Sequence, residues 1–285
     1  MRVLVLLLAA SAAQAFVPST KGLRAFASPR VVAPRAAPLK MSIAVFGATG
    51  GTGGECAYQA IKAGEAVTCL CRDPTKLLVP EGSGGAEAGQ PLRGVGNVVK
   101  GSVTNQADVD KVFEGQDVTG VVVALGGKTK DVGPTMLADG TACVINACKK
   151  YGVKRIAVVT SIGAGDSKDQ APLAFKILMM TVMSSIFKDK NAQEALFAAG
   201  GPGADLEYCI VRPGGLTLEK PNGEINVIDG EAGSISRADV ADFCLGAVMQ
   251  DEFPYLKKSP CLSSSGGTSW VKDRSAKTQG DRAAS

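Results

Sequence analysis

The sequence predicts an α/β fold with a doubly wound parallel sheet, and three observations carry that expectation. Short apolar runs alternate with longer segments of helical pattern from Ser42 onward, an order that right-handed crossovers turn into parallel strands with helices on both faces. The first apolar run ends in a glycine-rich turn, Gly47 to Gly53, which opens the first helical segment. The 285 residues are 45% hydrophobic and 20% charged, enough apolar mass for one large core, which excludes a disordered or collagen-like chain.

Taken in order, Ser42 to Phe46 is an apolar run that stops at Gly47, and Thr52 to Ala63 behind it reads as a helix. Ala66 to Cys71 and Asn97 to Lys100 are the next strands, separated by Glu81 to Gly96, whose glycine-rich polar composition predicts a surface loop. The helix Ala107 to Phe113 leads to a strand over Val118 to Ala124, and the helix Thr135 to Tyr151 to a strand over Arg155 to Thr160. A helical stretch from Pro172 to Ala199 precedes the strand Leu206 to Val211, and past Asp251 the chain thins into one last short strand and a charged end. The expected division is a leader to residue 41, a Rossmann-like domain over 42–263 with a small C-terminal substrate-side region, and a flexible tail over 264–285. The sequence contains no internal repeat.

The chain has no histidine, which removes every Ser-His-Asp and Cys-His catalytic arrangement, the two-histidine zinc helix and imidazole as a base near neutral pH. Chemistry must come from Lys, Tyr, Ser, Cys, carboxylates or a cofactor. Arg2, Lys21, Arg24, Arg30, Arg35 and Lys40 supply six positive charges to a leader without acids, so the overall +4 leaves the remainder at a net −2. That balance gives no electrostatic case for nucleic-acid binding. The eight cysteines, Cys56, Cys69, Cys71, Cys143, Cys148, Cys209, Cys244 and Cys261, form no C-x-x-C pair; they read as reduced, buried thiols, and no metal site is expected at these spacings.

The leader carries two addresses in series. Arg2, the apolar run Val3 to Ala10 and the small-residue site Ala13-Gln14-Ala15 have the parts of a signal peptide over residues 1–15. Residues 16–41 are rich in Arg, Ser, Ala and Pro and lack acids, the composition of a transit peptide. The join Ala15-Phe16-Val17-Pro18 resembles the bipartite leaders of algae whose plastids descend from a red-algal endosymbiont. The expected location is the plastid stroma, with no transmembrane segment and peripheral thylakoid contact left open; secretion is the lesser alternative.

Gly47-Ala48-Thr49-Gly50-Gly51-Thr52-Gly53 has the spacing G-x-x-G-x-x-G between a strand and a helix. Such a turn bares the backbone to a pyrophosphate, while the helix start offers free N–H groups and a positive dipole end. Gly47, Thr49, Gly50, Gly51, Thr52 and Gly53 are therefore expected to hold a dinucleotide. At the end of the second strand Arg72 stands before Asp73. A guanidinium suits a 2′-phosphate and a carboxylate the free 2′-hydroxyl, so NADP is preferred over NAD unless Asp73 takes the ribose.

Gly47 to Gly53, Arg72-Asp73-Pro74, Leu125-Gly126-Gly127, Asp139-Gly140-Thr141, Gly152-Val153-Lys154-Arg155, Thr160-Ser161-Ile162-Gly163 and Val211-Arg212-Pro213-Gly214-Gly215-Leu216 together resemble an atypical short-chain dehydrogenase/reductase of the NmrA-like, NAD(P)-binding group. The resemblance spans about Ser42 to Gln250. It implies that the Leu125-Gly126 turn passes the nicotinamide ribose and that the turn at Pro213 borders the substrate cleft, so Leu125, Gly126, Pro213 and Lys190 join Arg72 and the glycine turn as expected cofactor-binding residues. Members of this group include reductases, redox-sensing regulators without activity, and plastid proteins that assist translocation or photosystem assembly.

The catalytic pair departs from that pattern. Many relatives carry Y-x-x-x-K on the helix after the fifth strand, where the lysine binds ribose hydroxyls and lowers the pKa of the tyrosine that protonates the substrate. Lys190 fits the lysine, but Ile186 stands where the tyrosine should. A literal match, Tyr58 to Lys62, lies on the helix after the glycine turn, where it reads as a core tyrosine and a surface lysine. Ser161 is either a polar group near the nicotinamide or a hydroxyl capping its own turn. Gly127-Lys128-Thr129 lacks the earlier glycine of a P-loop, since position 122 is Val122. Leu173 to Phe187 is too short to span a bilayer and reads as a helix flanking the cleft. Ser236-Arg237-Ala238-Asp239 reads as a helix cap without chemistry. Two functions stay open: an NADP-dependent oxidoreductase acting on a small carbonyl or conjugated substrate, with Lys190 and Ser161 as catalytic candidates, and a non-catalytic NADP(H)-binding sensor or assembly factor with a plastid protein partner.

Overall fold

Runs of Val, Ile and Phe long enough for a strand and too short for a helix build the centre of the molecule. The structure, a computed structural model, describes residues 41–127, 133–171, 173–228, 233–264 and 268–271; residues 1–40 of the leader, Lys128 and Thr129 of the P-loop-like run, Pro172 and residues 272–285 lie outside them. Strands β1 (Ser42–Phe46), β2 (Ala66–Cys71), β3 (Asn97–Lys100), β4 (Gly120–Val123), β5 (Arg155–Val159) and β6 (Glu207–Pro213) pair in parallel in the order β3-β2-β1-β4-β5-β6. Three more short strands intervene before the last ones: β7 (Gly215–Thr217), β8 (Glu224–Ile228) and β9 (Ser234–Ser236). β10 (Cys261–Ser263) joins β6 in parallel, and β8 and β11 (Thr268–Val271) extend that edge in antiparallel pairing. β7 and β9 form a separate parallel pair.

Alternate residues of a strand face opposite sides of a sheet, so one run serves two cores. Ile43 and Val45 meet Cys56, Ala57 and Ala60 of α1 (Gly51–Lys62) and Phe243 and Cys244 of the helix Arg237–Met249. Ala44 and Phe46 face the other layer, with Val109 and Val112 of Gln106–Phe113 and Val144, Ile145 and Cys148 of Met136–Tyr151. Counting the single turn α2 (Glu81–Gly84), these three helices are α7, α3 and α4 respectively. Helices on both faces explain why the inner strands are apolar throughout rather than alternating. Seven of the eight thiols are buried and Cys143 is half-buried. Burial pushes Cys69 and Cys148 up to about 12, which keeps them as inert thiols.

Three sequence expectations change in the folded chain. The helical stretch expected up to Ala199 is two helices, α5 (Leu173–Met180) and α6 (Ser184–Ala195). The Thr181 hydroxyl donates back to the Ile177 carbonyl at 2.8 Å, and the Met183 N–H closes on Leu178 O at 3.0 Å, a helix-ending pattern that local side-chain competition favours. Glu81 to Gly96 is not simply a surface loop: α2 packs on α1, Gly82 and Gly84 are buried, and Leu92 and Val95 lie against the core. The tail expected from Ser264 begins with an edge strand, since Thr268–Val271 pairs with Glu224–Val227. Among the described residues no helix is long and apolar enough to cross a membrane.

Candidate functional site

The strand order reverses between β1 and β4, and the crevice at the carboxyl ends of these strands is where an open parallel sheet presents a site. Gly47 turns the chain there with φ +92°; a Cβ on it would strike the Ala124 carbonyl, and one on Gly53 would strike the Gly47 carbonyl. These close approaches seat α1 against the strand ends. The Gly50 N–H closes the turn on Gly47 O at 2.9 Å. α1 then begins with no side-chain cap and no acid in its first turn, so its leading N–H groups and positive end face the crevice unsatisfied.

A cleft of about 660 Å³ runs from the tip of β2 to α6. At one end lie Leu70, Cys71, Arg72 and Ser102, in the middle Gly47, Thr49, Gly50, Gly51 and Thr52, and at the far end Leu125, Gly126, Met136, Thr160 and Lys190. The structure therefore gathers most of the residues singled out in the sequence. Gly53 lies beneath the turn and supports it. Asp73 does not line the cleft: its carboxylate accepts from the Thr75 hydroxyl at 2.6 Å and the Thr75 N–H at 3.1 Å. Those bonds hold the Asp73 carboxyl below its usual range.

Besides Gly53, two expected site residues do not line the cleft. The Ser161 hydroxyl donates to the Ile162 carbonyl at 3.0 Å and is absent from the cleft wall, the turn-capping alternative. Pro213 is buried at the end of β6, where its carbonyl accepts from the Ile162 N–H at 3.0 Å; family segment order locates the strand end but not which side chains face the hollow. Ile186 is half-buried and does not line the cleft. Tyr58 is buried on α1, its hydroxyl 3.4 Å from Glu87, which also pairs with exposed Lys62. Arg237, read from the sequence as part of a cap, lines the cleft.

Lys190 owes its place to polar anchors on α6. The Asp189 carboxylate takes the N–H groups of Leu137 and Ala138, each at 2.9 Å, capping α4, and the Gln193 amide donates to Thr141 Oγ1 at 2.8 Å. Lys190 Nζ donates to the Thr160 carbonyl at 2.8 Å. Burial lowers its pKa to about 8, against the opposing pull of Glu194 and Asp189. Beneath it Glu194 accepts from the Thr160 hydroxyl at 2.7 Å and from Arg212 Nη2 at 2.6 Å. Burial works against the charge of Arg212, but Glu194 and Asp166 more than offset it and raise the guanidinium pKa. Asp189 and Gln193 stand four apart, one face of a helix, which is the signal by which their anchoring role could have been found.

Comparison with known proteins bears on the family and the fold. Residues 47–251 match the model of a family described as NAD(P)H-binding. An uncharacterised chloroplastic protein of Arabidopsis thaliana is 29% identical over 251 residues, 83% of each chain. The anaerobilin reductase of Escherichia coli O157:H7 superimposes with a TM-score of 0.60 at 22% identity, covering 79% of this chain and 97% of that one. A short-chain dehydrogenase/reductase of Veillonella parvula, solved in complex with NADP, gives 0.58 at 16% identity over 79% and 95%. At these identities the two solved structures bear on the fold alone.

Proposed function

That the chain belongs to the NAD(P)H-binding family is the premise from which we propose an NADP(H)-dependent reductase of the atypical short-chain dehydrogenase/reductase kind, acting on a small carbonyl or conjugated substrate. The observation that carries this reading is one continuous hollow with Arg72 at one end, the uncapped start of α1 in the middle and Lys190 at the other. These residues fit a dinucleotide: a Cβ on Gly47 or Gly53 would strike backbone, so glycine is what lets the turn lie this tightly under the cleft, and no carboxylate stands in the first turn of α1 to repel a phosphate. Bound there, the cofactor would supply a hydride from C4 of its nicotinamide. The chain would supply the proton. Thr160 holds one N–H of Lys190, which leaves two for a ribose hydroxyl and a substrate oxygen. An ammonium with a pKa of about 8 can pass a proton to the forming alkoxide and regain one from water. In relatives a tyrosine has that task; Ile186 has no proton to give.

Arg72 is exposed at the tip of β2 and Asp73 is spent on Thr75, which supports the 2′-phosphate. NADPH should bind more tightly than NADH by about 1–3 kcal/mol, the scale of a charge-assisted bond. Calorimetry should show that preference largely gone in Arg72→Ala. Equal affinities in the parent would remove the case for NADP.

A second reading is a non-catalytic NADP(H)-binding sensor or assembly factor with a protein partner. Ile186 favours it, as do Leu173, Ile177, Met180 and Val182, which are 59% exposed or more. Assays of NADPH oxidation against quinones, aldehydes and ketones separate the two: tight binding with no oxidation leaves the sensor as the better account. The leader and the chloroplastic relative support a plastid location. A reporter fused to residues 1–41 should enter plastids, and its arrival in the medium would contradict that.

A further inference from the structure

Arg237 opens α7, and its base is locked in place. The Ser236 hydroxyl accepts from the Asp239 N–H at 3.0 Å and donates to the Asp239 carboxylate at 2.7 Å. That carboxylate also takes the N–H groups of Asn222 at 3.2 Å and Gly223 at 3.0 Å. From this anchored start the side chain crosses to α1. A Cβ on Gly51 would lie 2.6 Å from Arg237 Cδ and 2.7 Å from Nε, so a bare backbone is what admits the arginine stem. Nη1 donates to the carbonyls of Thr217 at 3.1 Å and Leu216 at 3.4 Å, on β7. Among the described residues no carboxylate lies within ion-pair distance of it.

A cation therefore lies over the positive end of a helix, an arrangement that electrostatics disfavours unless an anion sits with them. The cleft and a neighbouring cavity of about 430 Å³ meet at this point, and Thr49, Gly50, Gly51 and Arg237 line both. We propose that Arg237 is a phosphate clamp, gripping the cofactor's pyrophosphate from across the glycine turn while its other N–H groups hold β7. The proposal rests on the NADP(H) reading above and extends it. Five donors on one planar group allow both contacts at once. Because Leu216 of β7 also lines the cleft, a seated pyrophosphate would steady that part of its wall.

The test is titration calorimetry on the full chain with NADPH and with 2′-AMP, a probe that carries the 2′-phosphate but no pyrophosphate. Arg237→Ala should weaken NADPH about 10- to 100-fold and leave 2′-AMP unchanged, whereas Arg72→Ala should weaken both. Arg237→Lys should recover part of the NADPH affinity. If Arg237→Ala binds NADPH like the parent, or loses 2′-AMP to the same degree, there is no clamp and the residue only supports the fold. Failure of the parent to bind either NADPH or NADH is a different result, and it would overturn the cofactor reading together with the clamp.

Discussion

Lys190→Met should lower the rate of NADPH-dependent carbonyl reduction about 10²- to 10⁴-fold, the range over which a positioned general acid acts. Methionine keeps much of the apolar stem and removes the ammonium that Thr160 holds at 2.8 Å, so the loss should fall on kcat more than on KM. The pH profile carries the argument further. A proton donor must be charged to act, and burial sets this amine at about 8; kcat/KM should be level below that pH and fall about tenfold per unit above it. Lys190→Arg retains the charge and donors for the proposed ribose contact but cannot release its proton near neutral pH, so it should bind NADPH and turn over slowly. Ile186→Tyr places a phenol one helical turn from Lys190 and should raise the rate if that phenol reaches the cleft. A Lys190→Met enzyme with parental kcat, or a profile flat from pH 7 to 9, would sink the assignment.

The sign of that pKa also bears on stability. Because the folded value lies below the unfolded one, near 10.5, the folded state carries the cost of a buried charge at all pH values below about 8. That cost is relieved as the pH rises through 8 toward 10.5, so this residue makes the protein more stable with rising pH in that window.

Glu194→Leu should destabilise the fold by about 3 kcal/mol in a denaturant titration, the lower end of what breaking one half of a buried ion pair costs. Glu194 and Arg212 are only 6% and 7% exposed, 2.6 Å apart, and leucine would leave the guanidinium desolvated with a weaker partner. Arg212 would keep Asp166, but that carboxylate is 88% exposed and its attraction is screened by water. This is why the lower end is expected. Glu194→Leu combined with Arg212→Met should cost less than the two single changes summed, since neither charge is then stranded. Strict additivity, or a single-variant loss under about 1 kcal/mol, would mean that the pair is effectively solvated.

Much of the fold was legible from the order of residues. β1, β2 and β3 begin and end where their apolar runs do, and the glycine turn leads into α1. Strand formation and the nucleotide turn depend on contiguous residues, so a local pattern contains them. β7, β8 and β9 were not recognised because three to five residues give little periodicity, although Ile225 and Val227 alternate with polar neighbours. Side-chain direction was beyond the sequence. Asp73 and Arg72 are adjacent and equally polar, and folding assigned one to a turn and the other to the cleft. Ser161 turned to its own backbone, and Pro213 lies behind the wall.

By itself the sequence determined the alternating architecture, the phosphate-binding type of its first turn and the absence of imidazole chemistry, because each of these is a property of neighbouring residues or of composition. The tertiary structure alone decided that Lys190 meets Thr160, that burial brings its pKa toward neutrality, and that Arg237 from α7 lies over Gly51 of α1. Those features depend on distance and desolvation between segments far apart in the chain, and both quantities acquire a value only when the sheet has brought the segments together.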